Sequence, residues 1–251
     1  MAPTQPWELA HAAARAAGIT LVRLASLEDA DRLIEVMIAT WGEHQLVPRE
    51  MIRALAESGN VPYGALREGT LIGYVLGWAG VDGGGLHIHS HMLAVVPDVR
   101  HRGAGYALKL AQRAQALDQG IHVVRWTFDP MVARNGWFNL GKLGAIADRF
   151  QRDFYGEMRD LLNRGERTDR FLVRWELDRE PGPRPLPASA VRVQIPADHA
   201  ALRERDPTAA LGERERVAEA VALQIERGRV AIGFDRERPA YLFAEDEVVE
   251  R

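Results

Sequence analysis

Residues 95–106 read Val-Val-Pro-Asp-Val-Arg-His-Arg-Gly-Ala-Gly-Tyr, and they leave this chain few folds to choose from. An apolar strand, Met92 to Val96, stops at Pro97. Two glycines two residues apart, Gly103 and Gly105, then open an amphipathic helix on which Ala107, Leu110, Ala111, Ala114 and Leu117 share one face. A strand that passes through glycine into a helix start points several main-chain N–H groups one way, at the positive end of the helix dipole. That is a seat for phosphate. Arg100, His101 and Arg102 read either as a solvated basic turn or as part of that seat, and their place beside two glycines at a helix start favours phosphate contact.

The flanking pattern supplies the rest of an α/β unit. Residues 7–17 read as a helix closed by Gly18, and Ile19–Ala25 alternates as a strand. Ser26 is placed to cap a helix from Leu27 to about Thr40, and Pro48 opens another that ends near Ser58-Gly59. Strands are predicted at Tyr63–Arg67 and Leu71–Ala79, joined by Glu68-Gly69-Thr70 as a hairpin. A loop over 81–85 leads to a strand His87–Val96. The glycine-opened helix runs to Gln119 and is followed by a strand Val123–Phe128 and a helix Arg134–Leu143 closed by Gly144. Strands Ala145–Tyr155 and Phe171–Leu177 flank a short helix, Glu157–Asn163. Prolines in residues 180–187 read as a stiff linker. Beyond it a strand Val191–Ile195, a helical stretch 198–228 interrupted at Pro207 and Gly212, and strands Val230–Phe234 and Ala240–Phe243 make a small βαββ unit. The expected division is 1–179, 180–189 and 190–251.

Composition excludes several function classes. With 251 residues, 47% of them hydrophobic, the chain can bury one good core with a smaller annex. A net charge of −3 gives no basic field to recruit nucleic acid or an anionic membrane. There is no cysteine, which fits a reducing compartment and removes thiol nucleophiles and zinc thiolates. The longest nearly apolar run, Leu71 to Val81, falls far short of the ~20 residues of a membrane helix, so the expected setting is the cytoplasm. Lys109 and Lys142 are the only lysines, and the rest of the positive charge is arginine.

The spacing Arg100-x-x-Gly103-x-Gly105 resembles the coenzyme A pyrophosphate loop of the GNAT superfamily of acyl-CoA-dependent N-acyltransferases. The run Asn135–Gly144, Trp126–Pro130, and the later Asn163, Thr168–Phe171 and Trp175 are similar to a GNAT branch with a C-terminal extension. The element order β-α-α-β-β-β-α-β-α-β-β over residues 19–178 is the GNAT order. The resemblance implies an α/β (α+β) fold, with a mixed, mostly antiparallel sheet, splayed central strands flanked by helices, and a small βαββ annex. It implies acetyl-CoA or another acyl-CoA, succinyl-CoA for instance, as co-substrate, and no metal. The pantetheine arm is expected along Leu93, Ala94 and Val95. The pyrophosphate is expected on the amides of Arg102, Gly103, Ala104, Gly105 and Tyr106, with Arg100 and His101 beside it and Asn135 and Phe138 contacting the coenzyme.

The resemblance departs at two chemical positions. Where many relatives carry a tyrosine as general acid, four residues before the glycine of the Leu143-Gly144 pair, this chain has Leu140, so Tyr155 or Tyr106 would serve, or the thiolate would leave unaided. Where relatives carry a glutamate eleven residues before the loop arginine, it has His89. His87, His89 and His91 alternate along one strand and are expected on one side. Three readings fit them: acid/base or substrate-orienting groups, with His89 and His91 the catalytic candidates; a zinc site; or ordinary half-buried histidines. The expected reaction is direct acyl transfer in a ternary complex to a small-molecule amine such as an amino acid, by a chain that could pair as a homodimer. The alternative is a non-catalytic acyl-CoA-binding or regulatory protein with a partner-binding extension.

Overall fold

A computed structural model describes residues 5–44, 46–97, 103–158 and 166–246. The chain forms a mixed α/β structure in two compact units, residues 1–124 with 158–165 and residues 125–157 with 166–251. Residues 180–189 fall inside the second of these units. Residues 159–163 of the expected helix 157–163, and the loop residues Arg100, His101 and Arg102, lie outside the described residues.

The first unit begins with α1 (Pro6–Ala16) and β1 (Thr20–Arg23), followed by α2 (Leu27–Trp41) and α3 (Arg49–Glu57). The Ser26 hydroxyl accepts from the Asp29 amide, while Asp29 returns the favour to the Ser26 amide, so α2 starts on a reciprocal capping box. The strands β2 (Tyr63–Arg67), β3 (Thr70–Asp82) and β4 (Gly85–Val95) continue an antiparallel meander in the order β1-β2-β3-β4. Glu68 and Gly69, with φ of 50° and 79°, make the two-residue turn between β2 and β3. Both central residues of such a turn need positive φ, the hand that matches the twist of the strands.

The expected loop over 81–85 closes down to a tight turn at Gly83-Gly84. β3 runs on to Asp82, whose carboxylate accepts from the Gly84 amide at 2.8 Å, and β4 starts at Gly85. One side of this sheet is sealed by α2 and α3, whose Leu33, Val36, Met37 and Ile52 pack with Leu24, Tyr74, Leu76, Met92 and Ala94. The helix α4 (Ala104–Asp118) follows, and α1 packs along it, with the Trp7 indole donating to Asp118 at 2.6 Å.

The second unit opens within β5 (Val123–Phe128) and contains α5 (Ala133–Gly136), β6 (Ile146–Gln151), β7 (Arg170–Glu176), β8 (Val191–Gln194), α6 (His199–Arg205), α7 (Pro207–Glu226), β9 (Arg229–Asp235) and β10 (Ala240–Glu245). Its strands lie in the order β5-β7-β6-β9-β10-β8, so β9 of the C-terminal segment pairs with β6 at Ala147 and Ala231. The helical stretch breaks at Asp206-Pro207 as expected, where Asp206 caps α7. It does not break at Gly212, which α7 absorbs, since one glycine weakens a long packed helix without ending it. The expected strand Ala145–Tyr155 is shorter at both ends.

The expected helix Arg134–Leu143 is also altered. Only Ala133–Gly136 is α-helical, and Trp137–Lys142 widens into a π-turn in which the Leu143 amide reaches back to Phe138. Gly141 accounts for the accommodation, because a Cβ there would meet the Trp137 ring at 2.3 Å. Arg214 of α7, nearly fully buried, is held by Asp129 at 3.1 Å and by Glu166, which His199 also engages at 3.0 Å. Burial would raise the Glu166 pKa, but the His199 hydrogen bond and the Arg214 and Arg203 charges outweigh it and hold the carboxyl down to about 2.

Two left-handed glycines, Gly120 of the first unit as a control and Gly144 of the second, test how tightly the chain packs around Gly144. Gly120 (φ 69°) faces open space, whereas a Cβ on Gly144 (φ 72°) would sit 2.1 Å from the Gly182 carbonyl oxygen. Gly120→Ala should cost the left-handed strain alone, about 1–2 kcal/mol. Gly144→Ala should cost that plus an overpacking penalty of about 1–3 kcal/mol. Urea unfolding of the two variants measures both, and equal losses would contradict the contact.

Candidate active site

The site in the first unit is built on a step in the β3–β4 ladder. Gly77 pairs with Ser90, but its neighbour Leu76 pairs with Met92, so β4 carries one extra residue at His91. Such a bulge breaks the alternation of side chains. Before it, Ile88 and Ser90 face α4, while His89 faces the other side beside Trp78, its partner on β3. After it, Met92 and Ala94 turn to the α2–α3 core, and Leu93 and Val95 turn to Gly105 of α4. His91 and Met92 therefore share a face, and the bulge exchanges which alternate residues of β4 meet each side.

His89 and His91 come together as the alternation implied. Their ring centroids are 5.9 Å apart, and Trp78 lies 5.2 Å from His89 and 5.0 Å from His91, all at tilted angles of 33–44°. His87 is buried farther along the strand, with Nδ1 3.1 Å from the Gly85 carbonyl and 3.8 Å from the Asp82 carboxylate. Burial, and then the neighbouring His91, His87 and Lys109, push the His89 pKa down to about 4. Desolvation lowers His91 as well. His89 is thus a neutral imidazole at pH 7, and a much weaker base than an exposed histidine. Among the described residues no three histidine, cysteine, aspartate or glutamate side chains converge as metal ligands.

The glycine cradle divides into two jobs. Gly103 has φ of 91°, a conformation other residues rarely adopt, and it forms the N-terminal boundary of α4. Gly105 has no such need. A Cβ there would make only ordinary contacts at 3.9 Å to Leu93 and Val95, so the fold does not require glycine at this position. What glycine leaves is open approach to the main chain. The Tyr106 amide is already bonded to the Gly103 carbonyl at 3.0 Å, which removes it from the expected set of phosphate donors. Ala104 and Gly105 open the first turn, where N–H groups have no preceding turn to bond. The first turn of α4 carries no acidic side chain, as an anion seat demands.

Asn135, Phe138 and Tyr155 belong to the second unit. Asn135 is half-buried on α5, its amide bonded to the Val132 carbonyl at 2.9 Å, and Phe138 is half-buried in the π-turn. Leu140, at the relatives' tyrosine position, is fully buried and has no proton to give. Tyr155 is 41% exposed, its hydroxyl 3.1 Å from Thr127 Oγ1 and its ring 5.5 Å from the Arg170 guanidinium.

Sequence reasoning missed Lys109. It lies in the second turn of α4, fully buried, and its ammonium donates to Ser90 Oγ at 3.0 Å and to Gln112 Oε1 at 2.8 Å. Burial lowers its pKa to about 7. The signal was in the composition: in a chain that writes nearly every cation as arginine, a lysine in the body of a helix stands out, because arginine cannot give up its proton and lysine can.

With this geometry in view, comparison with known proteins is direct. Residues 21–140 match the model of the acetyltransferase (GNAT) family. The Escherichia coli ribosomal-protein-S18-alanine N-acetyltransferase shares its fold at a TM-score of 0.50 and 13% identity, over 66% of this chain and 96% of that one. Naa20 of Chaetomium thermophilum, solved with a bisubstrate analogue, gives 0.50 at 19% identity over 64% and 87%. At these identities the likeness is one of fold. Comparison with curated proteins finds no match. No helix among the described residues is long and apolar enough to cross a membrane.

The buried lysine makes a stability prediction with a definite sign. Its folded pKa of about 7 lies below the ordinary value of 10.5, so between those limits the unfolded chain binds the extra proton. Stability should therefore be flat with pH below 7 and rise above it, by up to about 1.4 kcal/mol per pH unit. Denaturant titrations from pH 6 to 9.5 should show wild type gaining on Lys109→Met as pH rises above 7. A constant difference would contradict the assignment.

Proposed function

We propose that the chain moves an acyl group from acyl-CoA to the amine of a small molecule, by direct transfer with both substrates bound. The observation that carries this reading is Gly105, a glycine the fold does not need at the start of a helix whose first turn has no acidic residue, beside Leu93 and Val95 of the strand that bears two neutral imidazoles. Acyl-CoA supplies an activated thioester carbonyl. The Ala104 and Gly105 amides are the described donors for its pyrophosphate, each such contact contributing about 0.3–1 kcal/mol when exposed. Arg100 and Arg102 are proposed to add charge, and the main chain of Leu93–Val95 to line the pantetheine arm. A main-chain N–H of β4 would meet the negative charge that develops on the carbonyl oxygen.

The depressed pKa of His89 changes its proposed role. Taking a proton from a free alkylammonium (pKa ~10.4) would be uphill by roughly 6 units, or about 9 kcal/mol, so His89 does not prepare the nucleophile in the ground state. The amine must arrive neutral, or lose its proton to water. His89 then accepts the second proton only as the C–N bond forms and the nitrogen becomes strongly acidic. A neutral imidazole, with one ring nitrogen unprotonated at pH 7 and free to accept, is suited to that late step. Trp78 and His91 supply a ring-lined wall beside it, which suits an acceptor with a flat or apolar body next to its amine.

Thiol release measured with acetyl- and succinyl-CoA over a panel of amines and amino acids tests the reading. Release should depend on the amine, and His89→Ala should lower kcat by about 10²-fold or more with little change in acyl-CoA affinity. Trp78→Ala should raise KM for the acceptor alone. Tight CoA binding with no amine-dependent release would instead mark the chain as a binding protein.

A further inference from the structure

The geometry points to Lys109 as a positioning residue for acyl transfer: by bonding Ser90, it fixes the β4 bulge, and so the aim of His89 and His91, to the helix that carries the glycine cradle. This rests on the acyl-transfer reading above and goes beyond it, because Lys109 belongs to neither the cradle nor the ring cluster.

Three observations meet at one bond. Ser90 is the residue at which the ladder changes step, the last to pair with β3 before the extra residue at His91. It lies between His89 and His91 in sequence but faces the opposite side, toward α4, where the Lys109 ammonium donates to its hydroxyl at 3.0 Å. Gln112, one turn along α4, accepts from the same ammonium at 2.8 Å, so the tip of the long lysine side chain is held by two partners. The strand on the other side of Ser90 offers no substitute for this hold. Its partner Gly77 has no side chain, and a Cβ there would collide with the His89 carbonyl at 2.5 Å and with Gln112 at 2.9 Å.

A bulge is a register choice, and register is weakly held where side chains do not enforce it. If the extra residue slid by one position, His91 and Met92 would no longer share a face, and His91 would leave Trp78. The Lys109–Ser90 bond opposes that slide from the face where the rings are not. Lys109 also acts on His89 at longer range, since its charge is among the causes that depress the imidazole, after burial, His91 and His87.

The test combines Lys109→Met, Ser90→Ala and the double variant in the full chain, with acetyl-CoA as the probe. Ser90→Ala removes the bond while leaving the lysine in place, and it serves if the methionine variant fails to fold. Each single variant should lose kcat at least about tenfold while acetyl-CoA affinity stays within about threefold, and the double variant should lose no more than the worse single. Proton NMR titration of the imidazole C2–H signals gives a readout independent of turnover, and His89 should titrate at higher pH in Lys109→Met. Losses that add in the double variant, or an unmoved His89 titration with kcat unchanged, would overturn the proposal. If wild type shows no amine-dependent release, the acyl-transfer reading fails, and the His89 titration in Ser90→Ala, which keeps the lysine charge, then decides for the Lys109–Ser90 bond: a moved titration supports its hold on the bulge and an unmoved one overturns it.

Discussion

One extra residue in β4 governs how the first unit presents its chemistry. Up to Ser90 the strand alternates so that its histidines face one side and Ile88 and Ser90 the other. The step at His91 reverses that assignment, giving Met92 and Ala94 to the core under α2 and α3 and turning Leu93 and Val95 toward α4. Without the step, a strand that carries three histidines at alternate positions would go on presenting its odd-numbered residues to one side, and Met92 would leave the core. The bulge lets a single strand be a ring-lined surface at one end and an apolar partner for the cradle helix at the other.

The cradle and the rings show opposite electrostatic strategies. At the start of α4 the chain avoids acidic residues and uses a glycine that no packing constraint demands, leaving partial positive charge in the open. At His89 it removes charge, with burial and adjacent rings keeping the imidazole neutral far below pH 7. Lys109 lies between these regimes. Its pKa of about 7 makes it a cation that can be discharged near neutrality, and the groups it bonds are a hydroxyl and an amide. In the second unit the burial of charge is handled by pairing, with Arg214 set between Asp129 and Glu166.

Much of this was legible in the sequence because it depends on local rules. The Ser26 cap, the proline openings of α3 and α7, the Glu68-Gly69 turn and the helix started at Gly103 each follow from residues within a few positions of one another. The expected grouping of His89 and His91 followed from strand periodicity. The bulge was hidden, because nothing in His-Ser-His-Met announces an extra residue: the step is defined by pairing with β3. The depressed His89 pKa and the buried Lys109 were hidden for the same reason, since desolvation is set by neighbours distant in sequence. The π-turn at Trp137–Lys142 was read as plain helix because its cause, an indole lying over Gly141, is a packing fact. Leu140 is fully buried, which gives that position a structural role.

The account depends above all on the start of α4 being open to an anion, and calorimetric titration of acetyl-CoA into wild type and Gly105→Val tests that directly. A Cβ at this position meets Leu93 and Val95 at 3.9 Å, ordinary contact, so the fold admits a side chain here and the variant should remain folded, which its denaturant midpoint checks. Wild type should bind, and the variant should bind at least about tenfold more weakly, since the added side chain stands where the phosphates must approach. Absence of binding to wild type, or equal affinity in the two folded proteins, would contradict the account.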